Sequence, residues 1–170
     1  MTAYLRLRAV PPPALRNSAT WIERLFEGGS EAVRHRTLRH REEVLDERYL
    51  DQERLYAGTV PRPATAVAER PQAQVVLGGR PLYRTDPGKP PFLVLTAAQT
   101  RRVAAFLATA DFDALWLFAR DALLPRYGGA SGESETWGAF AAGHRELTAF
   151  YTRTAEAGDA VVKRLAETGV

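Results

Sequence analysis

The sequence predicts an α/β fold: one domain over residues 1–170, with a small mixed β-sheet of about four strands covered by helices. Three observations predict it. Residues 3–10 alternate Leu5, Leu7 and Ala9 against Tyr4, Arg6 and Arg8, the period of a half-buried strand. Thr96, directly after the apolar run Phe92 to Leu95, has Gln99 three residues on, a capping box that turns a strand into a helix. Trp137, Phe140, Ala141, His144, Leu147, Thr148 and Tyr151 then recur at steps of three and four, marking a long core helix.

The elements follow in order. Pro11 to Pro13 end the first strand, and Asn17 or Ser18 caps a short helix bearing Trp21, Ile22, Leu25 and Phe26, closed by Gly28-Gly29. Ser30 opens a longer polar helix to about Arg54, whose thin apolar stripe places it on the surface. Residues 57–73, rich in Pro and Ala, read as a long loop. Gln74 to Leu77 and Phe92 to Leu95 read as buried strands. Arg80-Pro81, following Gly78-Gly79, reads as turn chemistry. Helices are expected at 97–108 and 112–124, the second opened by Asp111 and stopped by Pro125. Ser134 is expected to cap the last helix, Gly158 to end it, and Ala160 to Leu165 to form a closing strand.

A chain of 170 residues supplies one core and not two. No apolar run reaches the roughly 18 residues of a spanning helix, and the opening MTAYLRLRAVPPP lacks the apolar stretch of a signal peptide. With no cysteines to form disulfides, a bacterial-type cytoplasm is the expected compartment. The net charge of +3 invites a nucleic-acid reading. Its distribution argues against one: residues 1–41 and 57–102 are basic, residues 42–56 and 103–170 acidic, and only two of the 23 basic residues are lysines. The basic run from Arg34 to Arg41 lacks interleaved aromatics and is followed by acids that can pair with it.

Signatures of known chemistry are few. Neither GxxxxGK[ST] nor GxGxxG occurs, and the GASGE segment departs from a nucleophile elbow because Glu133 stands where glycine is required. His35 and His40 would point about 140° apart on a helix, so they do not share a metal. No metal site and no cofactor is expected. His144 is the most informative residue, since an imidazole on an apolar stripe needs a partner and titrates near neutrality. It is either a satisfied core histidine or a pocket-lining acid or base. In the second case Trp137 and Tyr151 would flank it, with Asp51 or Glu135 as the acidic partner. Arg80 is a further binding candidate.

The segments Tyr4-Leu5-Arg6-Leu7-Arg8-Ala9-Val10, Tyr49-Leu50-Asp51 and Val75-Val76-Leu77-Gly78-Gly79-Arg80-Pro81 belong together. So do Leu95-Thr96, Leu147-Thr148-Ala149-Phe150-Tyr151 and Gly158-Asp159-Ala160-Val161-Val162. In combination they resemble the YfbM-like family of small bacterial proteins, a domain of unknown function. The resemblance implies an α/β fold with helices on a small sheet and implies no activity. Relatives typically carry Leu-Asp-Lys-x-Trp followed by His where this chain has Leu50, Asp51, Gln52, Glu53 and Arg54, so any chemistry resting on those residues is missing here. The leading function is a binding module for an unidentified protein partner or small molecule; a small cofactor-free enzyme centred on His144 is the alternative, and nucleic-acid binding through Arg34 to Arg41 a third.

Overall fold

A computed structural model describes residues 2–27, 42–58 and 69–168. Five strands, β1 (Thr2–Val10), β2 (Glu42–Leu45), β3 (Arg80–Leu82), β4 (Phe92–Leu95) and β5 (Ala160–Thr168), form one sheet in the order β2-β1-β5-β4-β3. The expected α/β class holds, and every strand pair is antiparallel, with five strands in place of the expected mixed sheet of about four. The helices are α1 (Ala19–Glu27), α2 (Tyr49–Ala57), α3 (Ala97–Thr109), α4 (Phe112–Leu123) and α5 (Glu133–Glu156).

The period-two pattern of β1 decides which face each residue serves. Leu5, Leu7 and Ala9 point with Leu45, Leu95 and Val161 into the larger core, filled from the helices by Leu55, Val103, Leu107, Phe140, Leu147, Phe150 and Tyr151. Val10, Phe92, Val94, Ala160 and Val162 point the other way, against Ile22 and Phe26 of α1. Register matters here, because a one-residue slip would exchange the two sets. Arg6 opposes Arg164 and Leu7 opposes Lys163 across β1 and β5.

Several boundaries are those the local chemistry dictates. The Thr96 capping box forms, with the Gln99 amide on the Thr96 hydroxyl at 3.2 Å and the Thr96 amide on the Gln99 side chain at 2.9 Å. Asp111 caps α4, accepting from the amides of Asp113 and Ala114. The Ser18 hydroxyl accepts from the Trp21 amide at the start of α1. Helix α5 ends at Gly158 with φ 72°. It opens one residue earlier than Ser134, after Gly132.

Three segments differ from the expectation. The expected helix from Ser30 to Arg54 lies partly outside the described residues, and its described part is not continuous: Glu42 to Leu45 form β2, with Glu42 opposite Arg8 and ion-paired to Arg6. Pairing to an open sheet edge outweighs the helix propensity of Glu42-Glu43-Val44-Leu45. The expected strand Gln74 to Leu77 is instead a 3₁₀ turn, Pro71–Gln74, and an irregular bend. Its carbonyls are met by side chains, as described below. The strand comes at Arg80–Leu82, where Pro81 is tolerated because β3 is the sheet edge. Gly78 and Gly79 allow the approach: a Cβ on Gly78 would lie 1.9 Å from the Ala73 carbonyl oxygen, and Gly79 has φ +136°.

Phe140 is 2% exposed and touches Trp116 and Tyr127 at ring-centre distances of 6.0 and 5.7 Å. Phe140→Ala is expected to cost about 3–5 kcal/mol in urea unfolding. Arg101→Ala on the exposed side of α3 is expected to stay within about 0.5 kcal/mol.

Candidate functional site

Helix α2 is short and has an unusual burial pattern. Asp51, Gln52 and Glu53 are buried while Leu50 is 50% exposed. Buried polar groups must find partners, and each of these does. Asp51 accepts from Arg54 at 2.8 Å, from Arg126 at 2.7 Å and from the Tyr127 hydroxyl at 2.7 Å. The Tyr127 hydroxyl is held protonated well above its ordinary range, by burial first and by Asp51 second. Glu53 accepts from the Leu77 amide at 2.9 Å, tying α2 to the bend.

Gln52 leads to His144. Its side-chain amide donates to the Tyr56 hydroxyl at 3.1 Å, and that hydroxyl lies 2.9 Å from His144 Nδ1. The close approach of α2 to α5 requires Gly143, where a Cβ would sit 3.1 Å from Gln52 Oε1. The Tyr56 hydroxyl, accepting from Gln52, shares with Nδ1 a hydrogen bond whose donor depends on the imidazole tautomer. Burial first, then the charge of Arg145, hold the His144 pKa below the ordinary imidazole value. His144 at neutral pH is therefore a neutral imidazole with its Nδ1 engaged by Tyr56.

Two hollows flank this relay. On one side Asp46, Arg48, Tyr49, Gln52, Gly143 and Glu146 line a cleft of about 230 Å³ between α2 and α5. Near it, Glu43 has its carboxyl pushed up by burial and by Glu146. On the other side His144, Arg145, Thr148, Ala149, Thr152 and Arg153 line a shallow groove along α5.

The residues expected to surround His144 separate. Tyr151 is sealed in the core, its hydroxyl donating to the Val75 carbonyl at 2.7 Å. Trp137 is 39% exposed and donates to Asp113 at 3.2 Å; Phe112 stands between it and His144, 5.7 Å from Trp137 and 5.3 Å from His144. Glu135 is exposed in the first turn of α5, where a carboxylate favours the helix dipole. Asp51 is committed to its arginines, and Arg80 is exposed on the edge strand. Ser131 is exposed and donates back to the Gly128 carbonyl. His35, His40 and the run Arg34 to Arg41 lie outside the described residues. Tyr56, the side chain hydrogen-bonded to His144, and Gln52 behind it escaped the sequence reading, although their spacing of four puts them on one helix face. Among the described residues no group of three or more His, Asp or Glu side chains is placed to hold a metal. Nor is any helix among them long and apolar enough to cross a membrane.

The architecture and the buried polar face of α2 define a small α/β domain with a helix-borne relay at its centre. Residues 1–163 match the model of DUF1877, a domain of unknown function, and the chain belongs to that family. It is similar to the crystal structure of YfbM, a protein of unknown function from Escherichia coli, with TM-score 0.60 and 13% identity over 98% of this chain and 100% of that one. That likeness shows the YfbM-like fold. No curated protein matches the chain.

The His144 geometry predicts a pH dependence. Because its folded pKa lies below the 6.5 of the free side chain, the unfolded chain takes up this proton first as pH falls. Stability from this group is therefore full above about pH 6.5 and declines below it. An NMR titration of the His144 ring is expected to give a midpoint below 6.5, and His144→Gln to flatten that part of the stability profile.

Proposed function

We propose that this chain is a protein-binding module, working in the cytoplasm, that docks a partner on the outer face of α4. The observation that supports this reading is a pair of large apolar side chains facing solvent side by side, Leu117 at 64% and Phe118 at 84% exposure. Ala114 and Ala122 extend the same exposed face, and Asp121 borders it. Apolar surface held out on a rigid helix is stabilised by what covers it. The inner face of α4 is anchored by Trp116, Ala119 and Leu123 in the core, so the outer face is presented without rearrangement. The partner would offer an apolar pocket with a basic border, the charges setting orientation. A pull-down from the native host with the wild-type chain is expected to recover a reproducible partner, and Phe118→Asp to lose it by tenfold or more while urea unfolding changes by no more than about 0.5 kcal/mol. Equal recovery by the two forms would refute the reading.

One observation favours a second reading, the cofactor-free enzyme. A half-buried imidazole with its Nδ1 engaged and its ring beside a groove is arranged to present a proton donor to a substrate oxygen. Tyr56→Phe and His144→Gln would then abolish a turnover detected by activity screening while leaving recovery of the α4 partner unchanged. Loss of the partner with either variant would exclude this separation of roles.

A further inference from the structure

The second face of the sheet carries an array of cations. Arg6 and Arg164, directly opposed across β1 and β5, both lie over the ring of Phe26, at 5.4 and 5.7 Å. Phe26 stacks on Phe92 at 5.8 Å, and Arg84 lies over Phe92 at 5.1 Å. Like charges facing each other across a sheet repel unless each is matched. Arg6 is matched: it pairs with Glu42 and donates to the Phe26 carbonyl at 3.3 Å. Arg84, its side chain 3% exposed, is matched by Glu23. Arg164 has no carboxylate partner among the described residues, and its Nε is buried without a hydrogen-bond partner, as is the Nε of Arg84.

Both of these arginines line one hollow of about 310 Å³, together with Tyr4, Lys89 and Pro90. Lys89 reaches it from the β3–β4 connection, held only loosely by Glu23 at 3.8 Å and Asp86 at 3.9 Å. A half-buried guanidinium with no carboxylate partner among the described residues is costly, and an anion in the hollow is the simplest group that would offset its charge. We propose that this hollow is a binding site for the phosphate group of a small organic molecule. Arg164 supplies the principal cation, Lys89 closes over the anion, and Arg84, fixed by Glu23 and Phe92, sets the positive wall. The tetrahedral, multiply charged phosphate suits several donors converging from different elements. The volume is at the lower end of small-molecule sites and exceeds what a bare ion fills, so Tyr4 and Pro90 would meet the organic part.

The site is independent of the α4 face and of His144. Its test is a thermal-unfolding and calorimetric titration of the whole chain with ribose 5-phosphate, inorganic phosphate and ribose, against sodium chloride at equal ionic strength. Ribose 5-phosphate is expected to raise the unfolding midpoint more than inorganic phosphate does, and ribose and chloride not at all. Arg164→Gln and Lys89→Gln are each expected to weaken binding by about tenfold or more, and Arg101→Gln to leave it unchanged. Lys89 is half exposed, so its variant keeps the test open should Arg164→Gln fold poorly. In phosphate-free buffer Arg164→Gln is expected to match or exceed the wild-type midpoint, since it removes a charge that no carboxylate among the described residues matches. Three outcomes would overturn the proposal: equal midpoints in phosphate and chloride, unaltered binding by both variants, or a destabilised Arg164→Gln that keeps full phosphate affinity.

Discussion

A single ammonium group at the centre of the sheet holds the larger core together. Lys163 lies on β5 between Leu7 of β1 and Leu93 of β4, on the face that Leu5, Leu7 and Ala9 of β1 occupy, and is fully buried. A charge there is tolerated because the bend after Pro71 brings carbonyls to it: those of Gln74 and Gly78 accept from its Nζ, the second at 2.8 Å. The Tyr151 hydroxyl takes the Val75 carbonyl. Without these donors, buried carbonyls of an irregular segment would each lack a partner, at about 1–3 kcal/mol apiece. The bend in turn receives Glu53 on its Leu77 amide, so β5, α5 and α2 meet at one short stretch of backbone.

The same arrangement explains why α2 buries polar groups beside the apolar Tyr49, Leu55 and Tyr56. Those polar groups meet hydrogen-bonding partners: the bend for Glu53, Tyr56 of the same helix for Gln52, and Arg126 with Tyr127 for Asp51. A network of this kind specifies one docking of α2, since rotating the helix would break the contacts that Asp51, Glu53 and Tyr56 make to other elements. His144 is drawn into it as the far end of the Gln52–Tyr56 pair. Its half-buried position is thus a consequence of how α2 seats on α5, and any role it has begins from a fixed orientation.

The two faces of the sheet solve the problem of buried charge differently. In the larger core, backbone carbonyls accept hydrogen bonds from Lys163. The smaller one lays arginines over Phe26 and Phe92 and uses the carbonyls ending α1, those of Leu25 and Phe26, as acceptors for Arg8 and Arg6. Cations suit that helix end because the macrodipole is negative there. The solution is complete for Arg6 and leaves Arg164 without a carboxylate among the described residues.

Wherever a residue's environment is set by its near neighbours, the sequence by itself determined the structure. Thr96 and Gln99, Asp111, Gly158 and the alternation of β1 are legible because caps and strand pleats are satisfied within a few residues. The family was legible too, from short segments spread along the chain. Tertiary structure alone decided the rest. Glu42 to Leu45 became a strand because the edge of β1 was open to it, and Gln74 to Leu77 failed to become one because Lys163 and Tyr151, more than 70 residues away, claimed its carbonyls. The candidate site divides along the same line. The position of His144 on a core helix could be read from periodicity, but whether Tyr151 or Tyr56 stood beside it depended on how two helices pack, and no local pattern encodes that.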